Sequence, residues 1–238
     1  MNTILHIDTS GPDALIGISQ DLKIIASKQN SQSNTHGEFV QAGVDELFRD
    51  SAMQLKDIDA IGVTMGPGSY TGLRVGLASA KGLAFALNKP LIGLSTLTLL
   101  AKAAVGHLTA TENLLVNEKQ LQVFSMIDAR RMEIFGAIYN SSLEYLAAEK
   151  AMILDEALLL ALLSNGPLIC IGSGVAKTKI LTQHADFQNS SPLFLDYSYT
   201  IHDMAALAMI KFKAADFEDL AYSGPAYLKD YYQKPLIK

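Results

Sequence analysis

The chain has few of the residues on which secreted, membrane-bound or RNA-gripping proteins depend. Its 238 residues include one cysteine, no tryptophan and four arginines. The lone Cys170 cannot form an internal disulfide, which favours a reducing compartment. No apolar run reaches the roughly 18 residues that a membrane-spanning helix needs, and Asp8 interrupts the apolar N-terminal stretch that a secretory signal would require. We therefore expect a cytoplasmic protein that does not associate with membranes.

The charge balance argues against direct binding to nucleic acid. The formal net charge is −5 at pH 7, whereas affinity for nucleic acid comes largely from cations that neutralise phosphates. No cluster of Lys and Arg is interleaved with aromatic residues. If the protein serves RNA, we expect it to do so through a partner.

The hydrophobic pattern predicts a mixed α/β fold made of two related halves. Period-2 and short apolar runs predict strands, and a 3.6-residue period predicts helices between them. In the first half, strands are predicted at 3–8, 14–19, 22–27, 59–65 and 91–94, with helices at 35–53, 73–87 and after Ser95. In the second half, strands are predicted at 121–127, 132–139 and 168–171, with helices at 155–163, after Gly174 and at 202–216. We expect a first lobe over 1–105, a second lobe over 106–201, and a C-terminal helix and tail, 202–238, that pack back on the first lobe.

The segment Gly66–Arg74 joins a predicted buried strand to a helix. Glycines at such a junction let backbone N–H groups converge, and the N-terminal end of the helix favours an anion. The segment lacks the Gly-Lys-Ser/Thr of a Walker loop and the third glycine of a dinucleotide fingerprint. A tight turn and a loop that contacts a nucleotide or a partner therefore both remain open. The candidate residues are Gly66, Gly68, Ser69, Thr71, Gly72 and Arg74.

Two other polar groups are candidates for the same site. Asp8 and Thr9 end the first predicted strand, where a phosphate or metal-bound water could be met, although a turn needs the same residues. Asp128, Arg130 and Glu133 form a second polar cluster between two strands. Turn chemistry explains Asp128 but does not explain the adjacent arginines, Arg130 and Arg131.

Patterns typical of catalytic metals and nucleophiles are absent from the sequence. None of the five histidines has a second histidine four residues later, the spacing of a zinc-binding pair on a helix. After His36, for example, that position is Val40. There is no G-x-S-x-G motif, and Cys170 lies within an apolar strand. We expect no catalytic residue and no metal site.

Small residues along the predicted first-lobe helices suggest a contact between helices. Glycine costs about 1 kcal/mol in a helix interior relative to alanine, so Gly76 and Gly82 need a compensating reason. Packing against the chain's own sheet and contact with another protein are equally good reasons. The second predicts a homodimer of the isolated chain and a partner-helix face comprising Val40, Val44, Leu47, Gly76 and Ala80.

Three motifs together resemble the TsaB (YeaZ) family. They are Asp8-Thr9-Ser10, the loop Gly66–Arg74 continued by Gly76, Ala80, Lys81 and Gly82, and Asp128-Ala129-Arg130 with Glu133. The resemblance covers the N-terminal half well and the C-terminal half loosely. It implies a two-lobed actin-like/Hsp70-like ATPase (ASKHA) fold with mixed sheets and flanking helices. It also implies a role in forming threonylcarbamoyladenosine at the adenosine beside the tRNA anticodon.

The resemblance further implies how the work is divided among subunits. A TsaD-like subunit holds the metal and the transfer chemistry, a TsaE-like subunit is an ATPase, and this chain is a non-catalytic platform that meets tRNA only through the complex. The chain alone then requires no cofactor, while ATP or ADP belongs to the complex. One departure from the family is Tyr227-Leu228-Lys229, where an arginine commonly follows the leucine. A small-molecule or acyl-group kinase of the same fold, and less readily a metallopeptidase, are the alternatives.

Overall fold

The computed structural model describes residues 1–32, 36–110, 120–183, 187 and 191–229, and these form two mixed sheets flanked by helices. The start of the predicted helix at residue 35, part of the predicted lobe boundary and the last nine residues of the predicted tail lie outside the described residues. The mixed α/β class predicted from the pattern is confirmed. None of the described helices contains an eighteen-residue window apolar enough for a transmembrane segment.

The first sheet has the strand order β3-β2-β1-β4-β5. β1 pairs antiparallel with β2 and parallel with β4, so the hairpin strands lie on one side of β1 and the crossover strands on the other. All six residues of β1 are buried because helices cover both faces of the sheet. The strands are β1 Thr3–Asp8, β2 Ala14–Gln20, β3 Lys23–Asn30, β4 Ala60–Gly66 and β5 Leu91–Ser95.

The second sheet repeats this arrangement with the strand order β8-β7-β6-β9-β10. β6 pairs antiparallel with β7 and parallel with β9, as β1 does with β2 and β4. The two lobes are therefore copies of one topology, with a cleft between them. The strands are β6 Gln122–Asp128, β7 Glu133–Tyr139, β8 Tyr145–Ile153, β9 Leu168–Ile171 and β10 Leu193–Leu195.

Two of the strands were not predicted. β8 and β10 are the two edges of the second sheet, and their outer sides face solvent. The apolar run of β8 is interrupted by Glu149 and Lys150, and β10 has three residues, too few to show a period. The pattern therefore gave no signal at either position.

Helices cover the sheets and also connect the lobes. α1 and α2 pack with each other, α1 against the hairpin strands β2 and β3 and α2 against β4. α3 follows β5 of the first sheet, but its apolar residues join the core of the second sheet with Val123 and Tyr139. α6 returns to the first sheet and packs with Ile4 and Ile92. The helices are α1 His36–Asp50, α2 Tyr70–Leu87, α3 Thr96–Ala110, α4 Glu156–Ser164, α5 Val175–Leu181 and α6 Ile201–Lys213, with a short 3₁₀ turn at Leu55–Asp57.

Candidate functional site

The carboxylate of Asp8 lies at the end of β1 and accepts hydrogen bonds from three parts of the chain. Oδ1 accepts from the backbone N–H of Ser10 at 2.9 Å and from the hydroxyl of Thr64 at 2.7 Å. Oδ2 accepts from the hydroxyl of Tyr199 at 2.7 Å. Asp8 is 4% exposed, so these donors stabilise a buried charge that would otherwise be costly. The carboxylate connects β1, β4 and the segment that precedes α6.

The sequence revealed neither Thr64 nor Tyr199 as a member of this cluster, and the more distant of the two is Tyr199. Its hydroxyl lies 3.0 Å from Ser10 Oγ as well as bonding to Asp8. Burial raises the pKa of Tyr199 well above its ordinary value, and the negative charge of Asp8 adds to that shift. The phenol is therefore a protonated donor at neutral pH. It lies 191 residues from Asp8 in the chain, and no local motif relates positions so far apart.

The glycines of the loop Gly66–Arg74 allow its close approach to the end of β1. A Cβ at Gly68 would lie 2.4 Å from the carbonyl oxygen of Ser10, and one at Gly72 would lie 2.0 Å from that of Thr9. The hydroxyl of Thr9 donates to the carbonyl of Gly72 at 2.6 Å. Of the loop glycines, Gly66 alone has a positive φ, of 114°, which glycine adopts readily. Packing thus accounts for these glycines, which is the simpler of the two interpretations.

The remaining candidates of the loop are at the start of α2. Ser69 is the N-cap, and its hydroxyl accepts a hydrogen bond from the N–H of Gly72 at 3.2 Å. Thr71 lines the cleft between the lobes. Arg74 points away from Asp8: its Nε donates to the hydroxyl of Tyr227 at 2.8 Å, and its guanidinium carbon lies 4.1 Å from the ring centroid of Tyr70.

The second polar cluster consists largely of two ion pairs, one within the second lobe and one to the C-terminal tail. Asp128 Oδ1 pairs with Lys177 Nζ at 2.7 Å and accepts from the N–H of Arg130 at 2.6 Å. Lys177, the larger cause, and the Arg130 amide lower the pKa of Asp128. Glu133 Oε2 pairs with Lys229 Nζ at 2.5 Å, which lowers the pKa of Glu133.

The segment Ala226–Lys229 of the tail crosses from one lobe to the other. The N–H of Ala226 donates to the carbonyl of Met65 at 2.7 Å, and Tyr227 contacts Arg74, so the first two residues bind the first lobe. Leu228 packs against the core of the second lobe, and Lys229 pairs with Glu133 there. The lysine that replaces the family's common arginine therefore forms a contact between the lobes.

These elements surround two openings. A cleft of about 1270 Å³ separates the start of α2 from the second lobe, and its walls include Ser10, Ser69, Thr71, Asp128 and Tyr199. A smaller pocket of about 500 Å³ shares Asp128 with the cleft as a lining residue. Two of the three motifs that carry the family resemblance meet the C-terminal tail there, because residues 67–71, 73, 128–130 and 226–229 line it. The structure thus brings together the first loop and the second polar cluster.

The predicted partner-helix face is wrong. The side chains of Val40, Val44 and Leu47 are at most 4% exposed, and Ala80 is 0% exposed. Gly76 is also buried, since a Cβ there would lie 2.3 Å from the hydroxyl oxygen of Thr9. A periodic apolar stripe on a helix faces the chain's own core, and here it covers the first sheet.

His36 and Cys170 are both buried in the fold. His36 is buried, and its Nε2 lies 3.1 Å from the carbonyl oxygen of Pro12. Burial in β9 raises the pKa of Cys170 to about 12. Among the described residues there is no group of three His, Cys, Asp or Glu side chains arranged to bind a metal ion.

Comparison with known proteins identifies the family. The family model described as TsaD, tRNA N6-adenosine threonylcarbamoyltransferase, matches residues 23–236. The chain belongs to this family. A TsaB protein of Haemophilus influenzae is 34% identical over 133 residues, which are 56% of this chain and 52% of that protein. An uncharacterised protein of Mycobacterium bovis is 33% identical over 141 residues, 58% of this chain and 60% of that protein.

The solved structure of YeaZ from Pseudomonas aeruginosa has the same fold. It superposes with a TM-score of 0.76 and 22% identity, and the match covers 96% of this chain and 100% of that one. The expected two-lobed fold and the resemblance to the TsaB (YeaZ) family are confirmed. The sequence matches span between half and 60% of the two curated relatives named above.

Proposed function

We propose that this chain is a non-catalytic subunit of the complex that installs threonylcarbamoyl on the adenosine beside the tRNA anticodon. In that complex it pairs with a TsaD-type catalytic subunit. The proposal is supported by the family match, by the relatives named for threonylcarbamoyladenosine biosynthesis, and by the geometry of α2 described below. The kinase and metallopeptidase alternatives have no comparable support.

The observation that carries the pairing is the exposed apolar face of α2. Phe85 is 81% exposed, and a side chain of its size gains roughly 1.5–3 kcal/mol when it is fully buried. Around it on the exposed side lie three small residues, Ala78, Gly82 and Ala86, and Lys81, whose Nζ donates to the carbonyl of Ser223. A Cβ at Gly82 would meet nothing within 4 Å. Such a face lets a second helix approach closely and then buries Phe85 as an anchor.

This face belongs to the same helix as the predicted one, but it is its opposite side. α1 lies beside it, since a Cβ at Gly37 would be 3.6 Å from Val75. The contact thus still involves the first-lobe helices, with Gly82 and Phe85 in place of Gly76 and Ala80. Without its partner, the chain would use the same face to form a homodimer.

The proposal assigns Asp8 a structural task. A carboxylate has about four lone-pair positions, and three donors from this chain already occupy Asp8. Its charge holds β1, β4 and Tyr199 together rather than facing a phosphate. The loop and the second cluster in turn position the tail. Nucleotide binding then belongs to the assembled complex, where a TsaE-like ATPase hydrolyses ATP in the cytoplasm.

Reconstitution from separate subunits tests the proposal. Threonylcarbamoyladenosine in tRNA would be measured by mass spectrometry with the chain alone, with TsaD-type and TsaE-type subunits alone, and with all of them, each mixture being supplied with tRNA, ATP and an activated threonylcarbamoyl donor. We expect the modification only when this chain and the other subunits are combined. Turnover by the chain alone, lost on Asp8→Ala, would contradict the non-catalytic role. Full modification in its absence would contradict the need for it.

A further inference from the structure

Arg130 and Arg131 occupy a conformation that arginine rarely adopts. They lie in the turn between β6 and β7, with φ values of 69° and 50°. The left-handed region is unfavourable for residues with a Cβ, and two consecutive residues there incur the cost twice. Glycine or asparagine usually fills such positions. Strained backbone retained in this way points to a function for the side chains that it displays.

Both guanidinium groups are exposed and carry charge that nearby carboxylates do not neutralise. The neighbouring Asp128 and Glu133 already pair with Lys177 and Lys229. Arg131 attracts Glu133 electrostatically without forming an ion pair with it. Arg130 contacts Asp128 through its backbone amide and not through its side chain. Within the described residues, neither arginine side chain has an ion-pair partner. The turn therefore has a local excess of two positive charges on a chain of net charge −5.

The turn is also separate from the face proposed to bind the catalytic subunit. Arg130 lines the smaller pocket together with Tyr70, at the N-terminal end of α2. Phe85 lies fifteen residues further along this helix, about 22 Å at 1.5 Å per residue. The arginines would thus stay accessible when the apolar face is covered.

We propose that Arg130 and Arg131 bind phosphate groups of the RNA substrate in the assembled complex. This inference rests on the proposed function, because that function supplies the RNA. A guanidinium group donates two parallel hydrogen bonds to a phosphate, and RNA presents phosphates in a continuous row. The contact positions the RNA backbone without reading its sequence. It also accounts for the paired arginines that turn chemistry leaves unexplained.

The experiment compares reconstituted complexes that contain wild-type chain, R130G/R131G or R130K/R131K. The glycine variant removes both guanidinium groups and relieves the positive-φ strain, so the chain stays folded, with an equal or higher melting temperature. We expect KM for tRNA to rise about tenfold, the loss of one or two charge-assisted contacts, with kcat unchanged. The slope of log Kd for tRNA against log salt concentration should fall by about 1.5, since each phosphate contact contributes 0.7–0.9.

Two further variants show whether the effect depends on charge or on guanidinium geometry, and whether it is specific to this turn. R130K/R131K keeps the charge, so the salt slope returns and KM recovers in part. Arg49→Ala removes an exposed arginine at the end of α1 and should leave KM and the salt slope unchanged. Wild-type values for R130G/R131G in an active complex would overturn this inference and leave the proposed function intact. An inactive complex with wild-type chain would instead contradict the proposed function. Loss of subunit pairing in R130G/R131G would assign the arginines to a protein partner and also overturn it.

Discussion

The hydroxyl of Tyr199 donates a 2.7 Å hydrogen bond to Asp8 Oδ2 and so fixes the segment before α6 to the end of β1. Tyr199 packs against the cores on both sides, with α6 and the first sheet and with α3 and the second sheet. The contact therefore joins the two lobes at the base of the cleft. Its acceptor is a buried charge, which makes it one of the stronger hydrogen bonds of the protein.

Tyr199→Phe should measurably destabilise the protein. A hydrogen bond to a charged group contributes about 1.5–3 kcal/mol, and removing the donor leaves Asp8 with two partners. The free energy of unfolding, measured in urea, should fall by that amount. Tyr222→Phe is the matched control because Tyr222 is 90% exposed, and it should have no effect. Equal stabilities of the two variants would show that the contact with Asp8 contributes nothing.

Gly72→Ala should destabilise the protein through packing alone. The new Cβ would lie 2.0 Å from the carbonyl oxygen of Thr9, and relieving such overlap costs about 1–3 kcal/mol or more. Gly72 lies within α2, so its helical φ suits alanine and backbone strain does not confuse the result. Gly68→Ala should behave similarly, given its 2.4 Å approach to Ser10.

The control for this pair is Gly82→Ala on the exposed side of the same helix. No atom lies within 4 Å of a Cβ there, so we expect stabilisation of up to about 1 kcal/mol from helix propensity. Thermal or urea unfolding would show whether each substitution lowers or raises the free energy of unfolding. If Gly72→Ala were as stable as Gly82→Ala, the loop could not pack on Thr9 as described.

Arg74→Ala should loosen the tail with little effect on global stability. Arg74 is exposed, and its contacts are with Tyr70 and Tyr227, so its loss releases Tyr227 without opening the core. Hydrogen exchange at the amide of Ala226, which bonds to Met65, should accelerate. In the reconstituted complex we expect reduced tRNA modification. Unchanged exchange and full modification would remove the assigned role of Arg74 in holding the tail.

The buried His6 should make stability depend on pH. Burial lowers the pKa of His6 from 6.5 to about 3, so the native state keeps the ring neutral while the unfolded state binds a proton below pH 6.5. The stabilising contribution is complete above pH 6.5 and is lost as the pH falls toward 3. At pH 5 the loss is about 2 kcal/mol, since each pH unit between the two pKa values is worth 1.36 kcal/mol.

His6→Gln tests this dependence against His202→Gln, which replaces an exposed histidine of α6. The free energy of unfolding would be measured at pH 7.5 and pH 5 for each protein. The wild type and His202→Gln should lose about 2 kcal/mol more than His6→Gln over this interval. The same loss in all three would mean that His6 does not titrate differently on unfolding.

Much of the fold could be predicted because local patterns determine it. β1 was predicted with the bounds Thr3–Asp8 that the structure has, and the order of strand, glycine loop and helix was predicted correctly, although α2 begins at Tyr70, three residues before the predicted start. The Asp8–Tyr199 contact could not be predicted, because it depends on how the two lobes pack together and not on a local sequence pattern. The partner face was misassigned because apolar periodicity identifies the buried side of a helix. The exposed side of α2 carries Phe85 and several small residues, and the apolar pattern alone does not identify such a side as a binding face.

The central claim is that the exposed face of α2 pairs with the TsaD-type subunit. Its most direct test is the affinity of that subunit for Gly82→Gln, measured by calorimetry beside Gly106→Gln. Both glycines lie in helices with no atom within 4 Å of a Cβ, so both variants should fold. We expect Gly106→Gln to bind as the wild type does and Gly82→Gln to lose binding by a factor of ten or more, a cost of at least about 1.4 kcal/mol. Wild-type affinity for a well-folded Gly82→Gln protein would contradict the claim.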